Sequence, residues 1–188
     1  MKLVLLFFTV LSTLVVSGQT KIEIEKRISQ DSVPNKAKIY ISEQFKASNI
    51  KWFFEKTNAR SSYEAKFCEL NKRFSVEFSI DGTLEDIEVL IKFKKLAPET
   101  KKIITTLLNS KFTNYRVLKT QFQQSDYDKT KLELFLKTKT LSELDLLELI
   151  VLGKTENSKN RYEILINSKG EVLSMLQLKE QSQTFLQF

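Results

Sequence analysis

The chain has 188 residues, of which 41% are hydrophobic and 28% charged, so it has enough apolar side chains for a core and is not a disordered chain. The formal net charge is +7, and only 4 Gly and 2 Pro are present, which favours strands and helices over a loop-rich scaffold. A single cysteine excludes an intramolecular disulfide, and the lack of histidine argues against a catalytic thiol and against zinc or copper sites.

The first 18 residues have the features of an export signal. Lys2 is followed by an apolar run from Leu3 to Val16 and then by the small residues Ser17 and Gly18. The run is shorter than the roughly 20 residues that a membrane-spanning helix needs. We therefore predict cleavage after Gly18, a periplasmic or secreted protein and no stable membrane anchor, with an uncleaved anchor helix as the alternative. Export also argues against a nucleic-acid partner, although the chain is basic.

A short charged segment, residues 19–32, is predicted to be a leader into the first unit of the fold, residues 33–95. This unit opens with "VPNKAKIYISEQF", in which apolar residues recur at a spacing of four, at Ala37, Ile41 and Phe45. The spacing predicts a helix with one apolar face, and that face needs a surface to cover it.

Four predicted strands follow this helix. The segments "IKWFFEKT", "SYEAKFCEL", "RFSVEFSI" and "LEDIEVLIKF" alternate apolar and polar residues, which predicts an antiparallel sheet with its apolar face under the helix. The pair Asp81-Gly82, between the last two segments, predicts a tight hairpin. The opposite face is expected to be wet, because it carries these polar residues: Lys51, Glu55, Glu64, Lys66, Ser75, Glu77, Asp86 and Glu88.

The same order of elements returns in residues 96–180, which we predict to be a second unit. "LAPETKKIITTLLNSKF" has helical spacing, and "NYRVLKTQF", "LLELIVLGK" and "RYEILINSKGEVLSMLQL" alternate like strands. An insertion near 125–143 is expected to form an extra strand at "KLELFLKT" or a loop, and residues 181–188 a C-terminal tail. The predicted fold class is therefore α+β, with two tandem units that each pack a helix on an antiparallel sheet of about four strands.

Phe53 is the first candidate for a binding residue. It lies between Lys51 and Glu55 on the face that is otherwise charged. Aromatic anchors inside a charged rim often supply the binding energy of protein interfaces, although single exposed apolar residues are common and need no function. We predict that Phe53, Lys51 and Glu55 contribute to a binding surface.

The second sheet is predicted to be apolar on both faces. The unexpected apolar face carries these residues: Ile150, Leu152, Leu165, Leu173 and Met175. Antiparallel sheets usually leave one face to water, so the insertion, the C-terminal "TFLQF", the first unit or a partner must cover it. If a partner covers it, then Leu165, Leu173 and Met175 form a second candidate binding surface.

No enzymatic activity is predicted. The sequence has no glycine-rich phosphate loop, no nucleophile elbow and no dinucleotide fingerprint. Pairs of carboxylates can form in space, but nothing in the sequence singles out a pair. Asp126 and Asp128 lack the later ligands and the glycine of a calcium loop, so a solvated turn is favoured. We expect no catalytic residue, no cofactor and no metal ion.

Together these features resemble those of a bacterial family. The tandem units, the "VP" and "AP" helix starts, the "YEAKF" strand, the "FSVEFSIDG" hairpin and the export signal are similar to those of PepSY-like proteins, also described as beta-lactamase-inhibitor-like. The similarity spans roughly residues 33 to 179. It implies two similar units, each with a helix on a curved antiparallel sheet, in an exported protein that binds or inhibits another protein.

We therefore expect an exported, non-enzymatic protein-binding or inhibitor-like module whose partner is another extracytoplasmic protein. The alternative is a carrier that holds a lipid or other apolar ligand between helix and sheet.

Overall fold

The structure, a computed structural model, describes residues 19–179, so the predicted export signal and C-terminal tail lie outside the described residues. Two short 3-10 helices, Gln30–Ser32 and Phe93–Lys95, precede the first two α-helices. The α-helices are α1 (Asn35–Gln44), α2 (Pro98–Lys111) and α3 (Lys129–Thr138). The strands are β1 (Gln19–Ile28), β2 (Ser48–Thr57), β3 (Ser61–Glu69), β4 (Lys72–Ser79), β5 (Leu84–Leu90), β6 (Asn114–Gln124), β7 (Leu146–Lys154), β8 (Lys159–Asn167) and β9 (Val172–Lys179).

The nine strands form one closed ring, in which each strand pairs with its neighbours in chain order. All of these pairs are antiparallel except the one that closes the ring, where β1 runs parallel to β9 from Gln19 opposite Leu176 to Ile22 opposite Lys179. Closure gives a partner to the backbone of the first residues of β1 and the last residues of β9, which would otherwise be open sheet edges.

The predicted fold class of two tandem α+β units is therefore wrong. Strands β5 and β6 pair from Ile87 opposite Gln124 to Leu90 opposite Gln121, and this ladder joins the two predicted sheets into one. Strand β1, in the segment predicted to be a leader, then connects the two ends of the sheet. Separate four-stranded sheets would each have two unpaired edges, and a single ring avoids that cost.

The apolar core lies between the outer face of the ring and the three α-helices. Phe45, which follows α1, packs edge-on against Phe67 of β3 and Phe74 of β4, with ring centroids 5.0 and 5.5 Å apart. Phe112, which follows α2, packs against Tyr162 of β8 at 5.0 Å. Because the helices cover the outer face, the residues on the opposite faces of the strands point into the ring.

The hairpin between β4 and β5 confirms the turn predicted at Asp81-Gly82. Gly82 has a φ of +80°, and the Ser79 backbone N–H donates to the Thr83 carbonyl at 2.8 Å across the turn. A Cβ on Gly82 would lie 2.9 Å from the Cβ of Pro34, so a side chain here would collide with the chain leading into α1. The turn therefore needs glycine both for its backbone conformation and for its contact with the helix.

The insertion forms α3, neither the strand nor the loop that the sequence predicted. The Asp128 side chain caps this helix by accepting a hydrogen bond from the Lys131 backbone N–H at 2.9 Å. The buried residues are Leu132 and Phe135, which are three positions apart as on a helix, whereas Leu134 is 55% exposed. Among residues 19–179, no helix is both long and apolar enough to cross a membrane.

Candidate functional site

The inside of the ring is polar, and the residues predicted to form a wet face line it. These residues share a face as predicted, but much of that face is enclosed and not wet: Glu55 is 6% exposed and Glu64 is 4% exposed. Charges from distant strands interact across this space, since Glu77 on β4 and Lys21 on β1 both affect the ionisation of Glu148 on β7. The interior of the ring therefore holds charged side chains that interact with one another.

A layer of carboxyl groups occupies the middle of the ring. Carboxylate oxygens of Glu55, Glu64 and Glu77 lie within 4.8 Å of one another. Burial and a hydrogen bond to Glu64 raise the pKa of Glu55 to about 10, so Glu55 keeps its proton at neutral pH. Burial alone would raise the pKa of Glu64 as well, but the hydrogen bond from Glu55 and the Lys66 ammonium at 2.7 Å hold it below its usual value.

The layer continues towards β5 and β7 with Asp86, Glu88 and Glu148. Burial and the charge of Glu77 raise the pKa of Asp86 to about 7. Burial and the charge of Glu163 raise the pKa of Glu148 to about 7. Glu88 is 6% exposed, and burial together with Glu148 and Asp86 raises its pKa well above the ordinary value. These carboxyl groups hold their protons to higher pH than usual because the ring shields them from water and crowds them together.

The split pKa values of Glu55 and Glu64 are what a general acid and a general base require, and three adjacent carboxyl groups could in principle ligate a cation. The surroundings argue against both uses. Lys66 and the proton on Glu55 already compensate the charge, and the Ser75 hydroxyl donates to Glu64. Glu55 and Glu64 are buried, and neither is among the residues that line the basic cavity described below. We interpret the layer as a structural network.

One end of the ring opens into a cavity of about 830 Å³. Four of its lining residues are cationic and none is acidic: Lys51, Lys66, Arg73 and Lys119. Apolar surface comes from Phe53 and Leu90, and the Lys66 ammonium lies 4.7 Å from the centre of the Phe53 ring. This basic cavity, as we call it below, is the candidate binding site.

The cations of the basic cavity differ in their partners. Lys66 is held by Glu25 and Glu64, each at 2.7 Å. Lys51, Arg73 and Lys119 are exposed, and within residues 19–179 none of them forms an ion pair shorter than 4.0 Å. The cavity therefore presents three cations without an ion pair in the described chain, of which Lys119 also acts at longer range on the carboxyl groups of Glu88 and Glu148.

The inner wall of the cavity carries a polar atom without a partner. Gln121 is 2% exposed, and its Nε2 donates a hydrogen bond to the Glu88 carboxyl group behind it. Its Oε1 is buried and has no hydrogen-bond partner in the structure. Buried acceptors of this kind are rare in folded proteins and need an explanation.

The structure brings together the first set of predicted site residues. Lys51 and Phe53 line the basic cavity, and Glu55 lies deeper in the same ring, within the carboxyl layer. Phe53, an isolated apolar residue in the sequence, is thus part of a cavity wall. No binding measurement bears on these residues, so their role remains a prediction.

The second predicted set does not share a face. Leu165 points into the ring opposite Glu148 and Ser174, whereas Met175 lies opposite Ile164 and packs against the core on the outer face. Leu173 is 54% exposed. The cause is a bulge in β9, where one extra residue shifts the alternation by one position.

Sequence reasoning missed several residues of the basic cavity, among them Arg73, Lys119 and Gln121. Arg73 had a usable signal, because it continues the alternation of Ser75 and Glu77 on the polar face of β4. Lys119 and Gln121 had none, because a register shift in β6 between Val117 and Lys119 breaks the alternation. Their position in the cavity depends on the pairing of β5 with β6, which sequence alone does not define.

Comparison with known proteins identifies the fold. No protein-family model and no curated protein matches the chain. Solved structures do match: a BLIP-like protein from Bacteroides fragilis is 13% identical, with a TM-score of 0.51, and the match covers 81% of this chain and 92% of that one. The chain has a beta-lactamase-inhibitor-like fold.

Two other similar structures also come from Bacteroides. A DUF2874 family protein from Bacteroides uniformis is 14% identical with a TM-score of 0.52, over 77% of this chain and 89% of that one. A protein from Bacteroides eggerthii, classed provisionally as periplasmic, is 17% identical with a TM-score of 0.51, over 77% of this chain and 88% of that one. These matches support the beta-lactamase-inhibitor-like part of the sequence resemblance and give no support to the PepSY-like family itself.

Proposed function

We propose that this protein is an exported, non-enzymatic binding module of the inhibitor-like kind, and that the basic cavity is its binding site. The observation that carries the proposal is the group of three unpaired cations, Lys51, Arg73 and Lys119, around the cavity that Phe53 lines. The predicted export signal supports an extracytoplasmic location, as does the provisional periplasmic class of one structural neighbour.

An acidic segment of another extracytoplasmic protein fits this site by charge. A carboxylate that approaches Lys51 and Arg73 needs to displace no competing ion pair within the described chain, and Phe53 and Leu90 provide apolar contact beside it. This arrangement of an aromatic anchor among charges is typical of interfaces whose energy is concentrated in a few residues. A BLIP-like protein among the structural neighbours is consistent with an inhibitory role.

Capture from an extracytoplasmic extract of the source organism tests this function. We expect the immobilised protein to enrich the same partner repeatedly, and Lys51→Glu with Arg73→Glu to abolish capture because the cavity then repels an acidic segment. Lys56→Glu is the matched control, since Lys56 is exposed on the same strand but does not line the cavity. Capture that survives the double reversal, or fails for the wild type in repeated trials, would contradict the proposal.

Phe53 has a separate role in this proposal. Phe53→Ala should weaken capture of the partner by tenfold or more in affinity, roughly the effect of removing an interface anchor. If the variant keeps both partner affinity and thermal stability, Phe53 is not an anchor.

The second candidate function is a carrier, and the size of the cavity favours it. About 830 Å³ is within the range of roughly 300–1,000 Å³ found for small-molecule sites. The sequence had suggested a ligand between helix and sheet, but side chains such as Ile41 and Leu108 fill that layer and are 1% and 0% exposed. Native mass spectrometry of freshly purified protein should then show an adduct that denaturation removes, whereas a clean apo mass favours the protein-binding form.

A further inference from the structure

The chemistry of the basic cavity specifies a ligand more narrowly than its size does. The residues that line the cavity offer a ligand three kinds of contact: cations without ion pairs, an apolar wall and, on Gln121, a buried hydrogen-bond acceptor without a partner. This inference rests on the proposal that the basic cavity is the binding site, and it names the ligand class that the second candidate function, a carrier, would hold there.

The cations call for an anionic group. Lys51, Arg73 and Lys119 are exposed and lack ion pairs within residues 19–179, and no carboxyl group is among the residues that line the cavity. A cationic ligand would be repelled here, and a neutral ligand would not form an ion pair with any of these cations. A carboxylate is stabilised by charge-assisted hydrogen bonds from lysine and arginine.

The apolar wall calls for an aliphatic or aromatic body next to that anion. Phe53 and Leu90 are half-buried and contribute to the same cavity as the cations. Lys66 covers Phe53 and is itself neutralised by Glu25 and Glu64, so this part of the wall carries little free charge. Burying the body of an amphiphile against it is favourable.

The third surface is the Gln121 side chain. Its Oε1 lacks a hydrogen-bond partner, although the residue is only 2% exposed. A hydroxyl or N–H group on the ligand would satisfy this acceptor. A second anionic group would find no free donor on this side chain, because the Gln121 Nε2 already donates to Glu88.

We propose that the basic cavity binds a small organic carboxylate that has an apolar body and a hydrogen-bond donor remote from the carboxylate. The carboxylate lies at the mouth among Lys51, Arg73 and Lys119, the body packs on Phe53 and Leu90, and the donor reaches Gln121.

Titration calorimetry with 12-hydroxydodecanoate, dodecanoate and dodecyltrimethylammonium tests the proposal. The two carboxylates should bind, the hydroxylated one severalfold more tightly, and the cationic amphiphile should not bind. The double substitution Lys51→Gln with Arg73→Gln should weaken carboxylate binding by about tenfold or more, because two charge-assisted contacts are lost. Lys56→Gln should bind like the wild type.

Gln121→Leu tests the deep contact separately. It should reduce the affinity for 12-hydroxydodecanoate to that for dodecanoate, while the dodecanoate affinity stays the same or rises. Thermal unfolding of each variant establishes that it is folded. Equal binding of carboxylate and ammonium amphiphiles, or carboxylate binding unchanged in the double variant, would overturn the proposal.

The two proposals fail in distinguishable ways. If neither carboxylate binds but a protein partner is captured through Lys51 and Arg73, the ligand class is wrong and the binding function stands. If neither the binding of carboxylates nor the capture of a protein partner depends on these cations, both the ligand class and the proposed binding function are wrong.

Discussion

At Glu148, folding changes the affinity of a single side chain for protons. In the unfolded chain this carboxyl group titrates near the ordinary value of 4.5, whereas in the ring burial and Glu163 raise its pKa to about 7. The folded state therefore binds a proton that the unfolded state releases. The stability that this group contributes is fully present below about pH 4.5 and is lost as the pH rises through about 7.

The substitution Glu148→Gln tests this pH dependence. Glutamine keeps the shape and cannot ionise, so the variant should be more stable than the wild type at about pH 8, by roughly 1–3 kcal/mol, and nearly equal to it at about pH 5. Chemical denaturation at both pH values measures the difference. Glu156→Gln, at an exposed site beyond β7, should follow the wild type at both. If the difference in stability between Glu148→Gln and the wild type is the same at both pH values, the raised pKa of Glu148 is contradicted.

At the scale of elements, an aromatic contact is central to the packing of α3. Phe135 is 1% exposed and stacks on Phe122 of β6, with ring centroids 4.0 Å apart and planes inclined by 12°. Tyr127, just before α3, also packs on Phe45 beyond α1 at 4.8 Å. The inserted helix and the residue before it thus pack against both β6 and the residue that follows α1.

Phe135→Ala should destabilise the protein by about 3–5 kcal/mol, as expected for removing a fully buried aromatic side chain. The control is Leu134→Ala on the same helix, which should cost about 0.5 kcal/mol or less because Leu134 is 55% exposed. Urea unfolding of both variants provides the comparison. Similar losses at the two positions would mean that α3 does not pack as described.

The sequence predicted local elements better than their assembly. Spacing and alternation located α1, α2 and most strands, because the periods of 3.6 and 2 are local properties. In "KLELFLKT", Leu132, Leu134 and Leu136 alternate as in a strand, yet the helical pair Leu132 and Phe135 reaches the core. The bulge at Leu173 could not be predicted either. Val172 and Leu173 are both apolar, so the pattern does not show which of them is the extra residue.

At the scale of the whole molecule, closure of the ring turns the polar face into an enclosed interior. Lys51, Phe53 and Glu55 were predicted to lie on an open wet surface, and the ring encloses this surface instead. The long-range pairs β1–β9 and β5–β6 produce this closure, and no short-range pattern encodes them. The result is an interior with a basic cavity at one end and a layer of protonated and paired carboxyl groups beyond it.

The proposals therefore require that a ligand binds inside the ring and not in the core between the helices and the sheet. Solution NMR of the labelled protein, titrated with 12-hydroxydodecanoate, tests this most directly. We expect the largest shifts at the Gln121 side-chain amide and at Lys51 and Phe53, with Ile41 and Leu108 of the outer core unchanged. Shifts confined to Ile41 and Leu108, or no shift at Gln121 and Phe53, would contradict it.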